Sequence, residues 1–284
     1  MIPAKFDYVR PGTLDEAVRA LADGGDDAKV IAGGQSLLPL LRLRLAFPEL
    51  LVDVGGLSEL QGVTEVGDAL LIGARTTHYQ LIHDRLVAEH CGLLAQAAST
   101  VADPAIRHRG TLGGSLVHAD AAGDLPAVAL ALEATLIARG PGGEREIAVA
   151  DFFVDYLTTT LQPDEILTGI RVPKRGGWGF HYEKFHRTAQ SWATVGVAAL
   201  VRRSNGSVAE ARIGLTNMGT TPVRAVAAEA AAAGGAANRE ALRAAAARAA
   251  EGTNPPADLH GAADYRQHLA RILTGRALAA AAGV

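Results

Sequence analysis

Apolar and polar positions along the chain change period several times, and each change marks an element. A short strand at 6–9 is followed by Thr13-Leu14-Asp15-Glu16, a capping box that opens a helix with Ala17, Val18, Leu21 and Ala22 on its inner face. Ala28-Lys29-Val30-Ile31-Ala32 reads as a buried strand, and Leu37-Leu38-Pro39-Leu40-Leu41, continued by Arg42-Leu43-Arg44, is a helix-like stretch. The chain therefore starts β-α-β, with residues 33–36 exposed at a strand end, the usual place for a ligand in an α/β layer. A further strand covers 50–54, Gly55-Gly56 marks a boundary, and 63–66 pairs with 69–72 about the turn Gly67-Asp68.

Helices come next. Thr76-Thr77 caps a segment running to Ile82, and 86–101 carries a long apolar helical periodicity that Asp103-Pro104 ends. Residues 125–132 read as a buried helix, 134–138 and 145–149 as strands joined by Gly140-Pro141-Gly142-Gly143, and 166–173 as a closing strand. A second domain begins near 174–177 with three strand-like runs, 178–187, 195–203 and 208–217. Alanine-rich helix follows from Pro222 to Ala250, then a Pro255-Pro256 break and a final helix over about 264–280. This order predicts an α+β protein: a domain over 1–175, in parts of about 1–55 and 56–175, then a smaller domain over 176–284 with a three-stranded sheet and helices.

With 284 residues the chain can build two cores, and a hydrophobic fraction of 49% suits a soluble enzyme or enzyme subunit. A net charge of -3 without a long Lys/Arg run gives no footprint for nucleic acid or an anionic membrane. The start has no basic-then-apolar leader and no stretch of ~18 uncharged apolar residues occurs, so the expected place is the cytoplasm. Cys91, the one cysteine, rules out disulfides, zinc ribbons and any iron–sulfur cluster held by this chain alone. Its helical surroundings read as those of a buried, inert thiol.

The chemistry concentrates in two glycine pairs about eighty residues apart, Ala32-Gly33-Gly34-Gln35-Ser36 and Thr111-Leu112-Gly113-Gly114-Ser115. Each reads as an apolar run or strand, a small-Gly-Gly-polar segment and then a helix-like stretch, and together they suit a diphosphate. Gly24-Gly25, Gly142-Gly143 and Gly234-Gly235 look like turns instead. Neither pair is GxGxxG or GxxxxGK[ST], which disfavours a nicotinamide-type fold and a P-loop NTPase. His118, Asp120 and Asp124 lack the compact spacing of a metal site. Asp124 either caps the next helix or accepts a hydrogen bond from a ribityl or ribose hydroxyl. His78, His83, His90 and His108 read as surface or structural residues. With no nucleophile elbow and no paired catalytic carboxylates, the reaction falls to a bound cofactor.

Four segments, AGGQSLLPLLRLRLAFPELLVDV, IGARTTH, DPAIRHRGTLGGSLVHADAAGDLPAVALAL and HGAADYRQHLARILTGRAL, make the chain resemble, end to end, the FAD-binding medium subunits of molybdenum hydroxylases of the carbon monoxide dehydrogenase type. The resemblance implies a two-part FAD-binding domain of the vanillyl-alcohol-oxidase (PCMH) type, with FAD between the parts and a C-terminal domain completing the pocket. By position it places Val30, Ile31, Ala32, Gly33, Gly34, Gln35, Ser36 and Leu37 in the first cofactor loop, and Thr111, Gly113, Gly114 and Ser115 in the second. It also places Asp124 at the cofactor, Val101 against the flavin ring, Leu167 or Thr168 on the strand before Pro173, and Lys184 near the ring or ribityl chain, as a basic group favouring the anionic reduced flavin. Gln35 stands where many relatives have His, which removes any protonation-linked role there.

The implied partners are a large molybdopterin-binding subunit and a small [2Fe–2S] subunit, in a dimer of heterotrimers that delivers electrons to an external acceptor, a quinone or other. The implied place is the cytoplasm or the inner face of the membrane. Two alternatives stay open: the flavin subunit of a related hydroxylase acting on an N-heterocycle or aldehyde, and a stand-alone FAD oxidoreductase or non-catalytic flavin-binding assembly module.

Overall fold

The computed structural model describes residues 2–284. The N-terminal part runs β1 (Asp7–Val9), α1 (Leu14–Gly24), β2 (Ala28–Ile31), α2 (Leu37–Leu43) and β3 (Leu50–Asp53). Its three strands form a parallel sheet in the order β1-β3-β2, with Val52 opposite both Val9 and Val30. Thr13 accepts from the Glu16 N–H and the Glu16 side chain returns to the Thr13 backbone, so both halves of the capping box are made. Ala17, Val18 and Leu21 of α1 are buried in one cluster with Ala28 and Val52.

The middle of the chain continues with β4 (Val63–Val66), β5 (Ala69–Gly73), α3 (His78–His83), α4 (Arg85–His90), α5 (Gly92–Ser99), α6 (Pro104–Arg107), α7 (Leu112–His118) and α8 (Asp124–Leu132). Then come β6 (Thr135–Gly140), β7 (Gly143–Ala148), the small hairpin β8 (Phe153–Asp155) and β9 (Thr158–Thr159), and β10 (Ile166–Pro173). Strands β4, β5, β10, β6 and β7 form, in that order, an antiparallel sheet. The apolar periodicity over 86–101 is two helices, not one. Cys91 leaves the helical region (φ -141, ψ 41), because bare Gly92 beside it admits the Phe180 ring against the backbone where any Cβ would collide.

The C-terminal part holds β11 (Gly179–Phe185), β12 (Val195–Ser204), β13 (Ser207–Thr216), β14 (Val223–Arg224), α9 (Val226–Ala232), α10 (Arg239–Ala246) and α11 (Ala263–Ala282). Its antiparallel sheet has four strands where the sequence suggests three. The fourth, β14, pairs through only Val223 and Arg224, too short to show an alternation. Helix α8 is buried along its whole length, apolar all round because the C-terminal sheet packs on one side and α5 and the middle sheet on the other. Leu125 and Val128 thus share one core with Leu70, Ile72, Ala198 and Leu200. No helix among the described residues is long and apolar enough to cross a membrane.

Candidate flavin-nucleotide site

A cavity of about 500 Å3 opens where the parallel sheet, the helices of the middle part and the β11 edge of the C-terminal sheet converge. Of the residues that the resemblance places at the cofactor, these line it: Val30, Ile31, Ala32, Gly33, Gly34, Gln35, Ser36, Leu37, Val101, Thr111, Gly113, Gly114, Ser115, Asp124, Leu167 and Lys184. Of the two neighbours on β10, Leu167 is on the wall, whereas Thr168 donates its hydroxyl to the Ile137 carbonyl at 3.1 Å.

The first glycine segment is an open turn. Strand β2 stops at Ile31, Gly34 takes the left-handed region (φ 74), and the chain re-enters a helix at Leu37. Among the described residues the backbone N–H groups of Gly33, Gly34, Gln35 and Ser36 have no protein acceptor. The Gln35 side chain closes the turn by donating to the Gly33 carbonyl at 3.0 Å. Successive unpaired amides around a left-handed glycine form a concavity suited to an anion.

The second glycine segment differs from its expected form. No strand precedes it; Asp103 caps the short α6 with Pro104 in its first turn, and the glycines themselves are the first turn of α7. Thr111 is the N-cap, its hydroxyl accepting from Gly114 N–H at 3.0 Å, a bond that winds residues 111–114 into helix. Leu112 donates to Thr76, Gly113 to Ala74 and Ser115 to Thr111, at 3.0, 2.8 and 3.0 Å, and within this segment the Thr111 N–H alone has no acceptor among the described residues. The glycines serve close approach instead. A Cβ on Gly113 would lie 2.6 Å from that of Ala74, and one on Gly33 would collide with the Arg109 carbonyl, so the first segment touches, through bare backbone, the two residues that lead into the second.

Asp124 does not cap α8; Gly123 holds that position and no side-chain cap bond is made. Its carboxylate accepts from Tyr182 Oη at 2.6 Å and from Lys184 Nζ at 2.7 Å, and Lys184 also donates to the Thr100 carbonyl at 3.2 Å. Burial pushes the Asp124 carboxyl above the ordinary aspartate range, against the pull of the Lys184 ammonium and the Tyr182 hydroxyl. Burial and the Asp124 charge raise the Tyr182 phenol well above its usual value, so it is a fixed donor. Lys184 is therefore one half of a buried ion pair with Asp124.

The wall also carries residues that the sequence reading leaves elsewhere. His78 is there, beneath the second segment, together with Trp192 from the β11–β12 connection and Gln190, whose amide donates to Asp103 at 2.6 Å. The IGARTTH motif carries the signal for His78; Trp192 sits in a stretch with no local signature. His118 and Asp120 line the cavity as well, and burial holds the His118 imidazole below the usual histidine range.

A bare-backbone joint, four unpaired amides and apolar walls from Val101, Ile166, Leu167 and Trp192 fit a dinucleotide carrying a diphosphate and a planar ring. The family models agree: residues 4–175 match "FAD binding domain in molybdopterin dehydrogenase" and residues 180–281 match "CO dehydrogenase flavoprotein C-terminal domain". The chain belongs to the FAD-binding medium subunits of molybdenum hydroxylases of the carbon monoxide dehydrogenase type, and is an oxidoreductase subunit. It is 41% identical over 282 residues to the carbon monoxide dehydrogenase medium chain of Hydrogenophaga pseudoflava, covering 99% of this chain and 98% of that one. It is 38% identical over 283 residues to the 6-hydroxypseudooxynicotine dehydrogenase complex subunit alpha of Paenarthrobacter nicotinovorans, covering 99% and 96%. Among solved structures, carbon monoxide dehydrogenase from Hydrogenophaga pseudoflava superposes with a TM-score of 0.96 at 44% identity, covering 99% of this chain and 98% of that chain.

Proposed function

We propose that this chain is the flavin subunit of an aerobic molybdenum-containing carbon monoxide dehydrogenase, receiving electrons that originate at a molybdopterin centre in a large partner subunit. The observation that carries this reading is the convergence of both glycine segments and the Asp124–Lys184 pair on one cavity, in a chain that matches carbon monoxide dehydrogenase medium chains over nearly its whole length. Bound FAD supplies the conversion of single-electron transfers from [2Fe–2S] clusters of a small partner subunit into two-electron delivery to an external acceptor, a quinone or other.

The chain's own residues bind and exclude. Amides of 33–36 hold the diphosphate, the Asp124–Tyr182–Lys184 network fixes a polar wall, and Val101, Leu167 and Trp192 keep water from the ring. Cys91 cannot serve a cluster: it is alone and buried, and burial pushes its thiol up to about 12. The full reading is a dimer of heterotrimers in the cytoplasm or at the inner face of the membrane.

A second reading, the flavin subunit of a hydroxylase for an N-heterocycle or aldehyde, is favoured by the almost equal likeness to the Paenarthrobacter protein. Anaerobic addition of carbon monoxide to the purified holoprotein separates the two. Bleaching of flavin and iron–sulfur absorbance is expected; no change with molybdenum, iron and FAD all present contradicts the first reading, and bleaching by an N-heterocycle instead supports the second. A purified protein holding FAD without molybdenum or iron would point to a stand-alone flavoprotein.

A further inference from the structure

The IGARTTH motif has its last residue at the joint of the two glycine segments. His78 opens α3 behind the Thr77 cap, and its backbone N–H donates to the Gly110 carbonyl at 2.9 Å. Its ring is buried, 5% exposed, and Nδ1 is sealed from solvent with no hydrogen-bond partner. A Cβ on Gly110 would come within 2.9 Å of Nε2 and Cδ2, and the Gly110 Cα is what a Cβ on Gly33 would meet at 3.0 Å. The stack Gly33, Gly110, His78 thus sets the imidazole behind the point where the first segment touches the residues leading into the second, and all three residues line the cavity.

A neutral imidazole carries one N–H, and burying an N–H without an acceptor is less tolerable than burying a bare lone pair. The sealed Nδ1 is therefore the lone-pair nitrogen, and the proton resides on Nε2, beside Gly110. Burial, with the Arg107 guanidinium nearby, holds the ring neutral, its pKa pushed down to about 4. On this side of the cavity the amides of 112–115 are all occupied, which leaves the Thr111 N–H and the side chains as donors to an anion.

We propose that His78 is a nucleotide-binding residue whose Nε2–H donates to a phosphate oxygen of the diphosphate seated between the two glycine segments. The assignment rests on the flavin reading above. It is tested on the purified holoprotein stripped of flavin and titrated separately with FAD and with riboflavin, which has no phosphate. A hydrogen bond to a charged oxygen predicts that His78→Phe and His78→Asn each weaken FAD binding about tenfold or more and leave riboflavin affinity unchanged. His78→Gln, whose amide nitrogen reaches the Nε2 position, stays within about threefold of wild type. Equal weakening of FAD and riboflavin would show a packing role and overturn the assignment, as would unaltered FAD affinity in His78→Asn. A wild-type protein that takes up no FAD overturns the flavin reading itself, and this assignment with it.

Discussion

Residues 33–36 and 111–115 meet at one wall of the cavity and bring different things to it. The first segment leaves its amides unpaired around a left-handed Gly34; the second uses its amides to anchor α7 against Ala74, Thr76 and Thr111. One segment is a set of donors and the other a rigid, bare surface that lets the donors' ligand come close. A Gly-Gly pair therefore has no single meaning. Whether its N–H groups face a ligand or the protein is decided by what precedes it, here a strand end in one case and a Thr N-cap in the other.

If the cavity wall facing the first segment is structural, damage to that wall should appear as lost stability. The largest loss is expected from Asp124→Ala, which leaves the Lys184 ammonium buried with the Thr100 carbonyl as its remaining hydrogen-bond partner. Urea unfolding should show a loss of about 3–5 kcal/mol, largely restored by adding Lys184→Met. An unchanged midpoint would mean that the pair is solvated.

The next effect is one of pH. His78 packs under the second segment with a pKa lowered from 6.5 to about 4. Above pH 6.5 the ring is neutral in both folded and unfolded chains and makes no difference. As pH falls toward 4 the unfolded chain takes up a proton that the folded one refuses, so stability should drop by about 3 kcal/mol, the loss levelling off below 4. The difference between wild type and His78→Gln in denaturant midpoint against pH isolates this contribution; parallel curves would contradict it.

The smallest effects contrast the segments directly. Gly113→Ala adds a methyl to a packed helix turn and should cost about 1–3 kcal/mol of stability. Gly33→Ala, whose methyl would meet the Arg109 carbonyl, should cost stability as well and in addition weaken FAD binding about tenfold or more, which Gly113→Ala should spare. The same pattern in both variants would erase the distinction between the segments.

Much of this was legible in the sequence because the signals are local. The Thr13 box, the 63–66 and 69–72 hairpin and the strand at 166–173 each depend on neighbours within a few residues, and each is present. What was not legible depends on distant partners. Cys91 lies on an apolar stripe with Val87 and Leu94, all buried, so the periodicity runs across a break that Phe180 imposes. The carboxylate of Asp124 is claimed by Tyr182 and Lys184, nearly sixty residues away, which no spacing rule near Asp124 announces. The resemblance located the residues around the cavity; it did not say which amides among them are free.

That division is tested most directly by a structure of the holoprotein with FAD bound. Diphosphate oxygens within about 2.7–3.2 Å of two or more amide nitrogens of residues 33–36, and none bonded to the amides of 112–115, is the expected result. A diphosphate held by the 112–115 amides, or seated away from both segments, would contradict it.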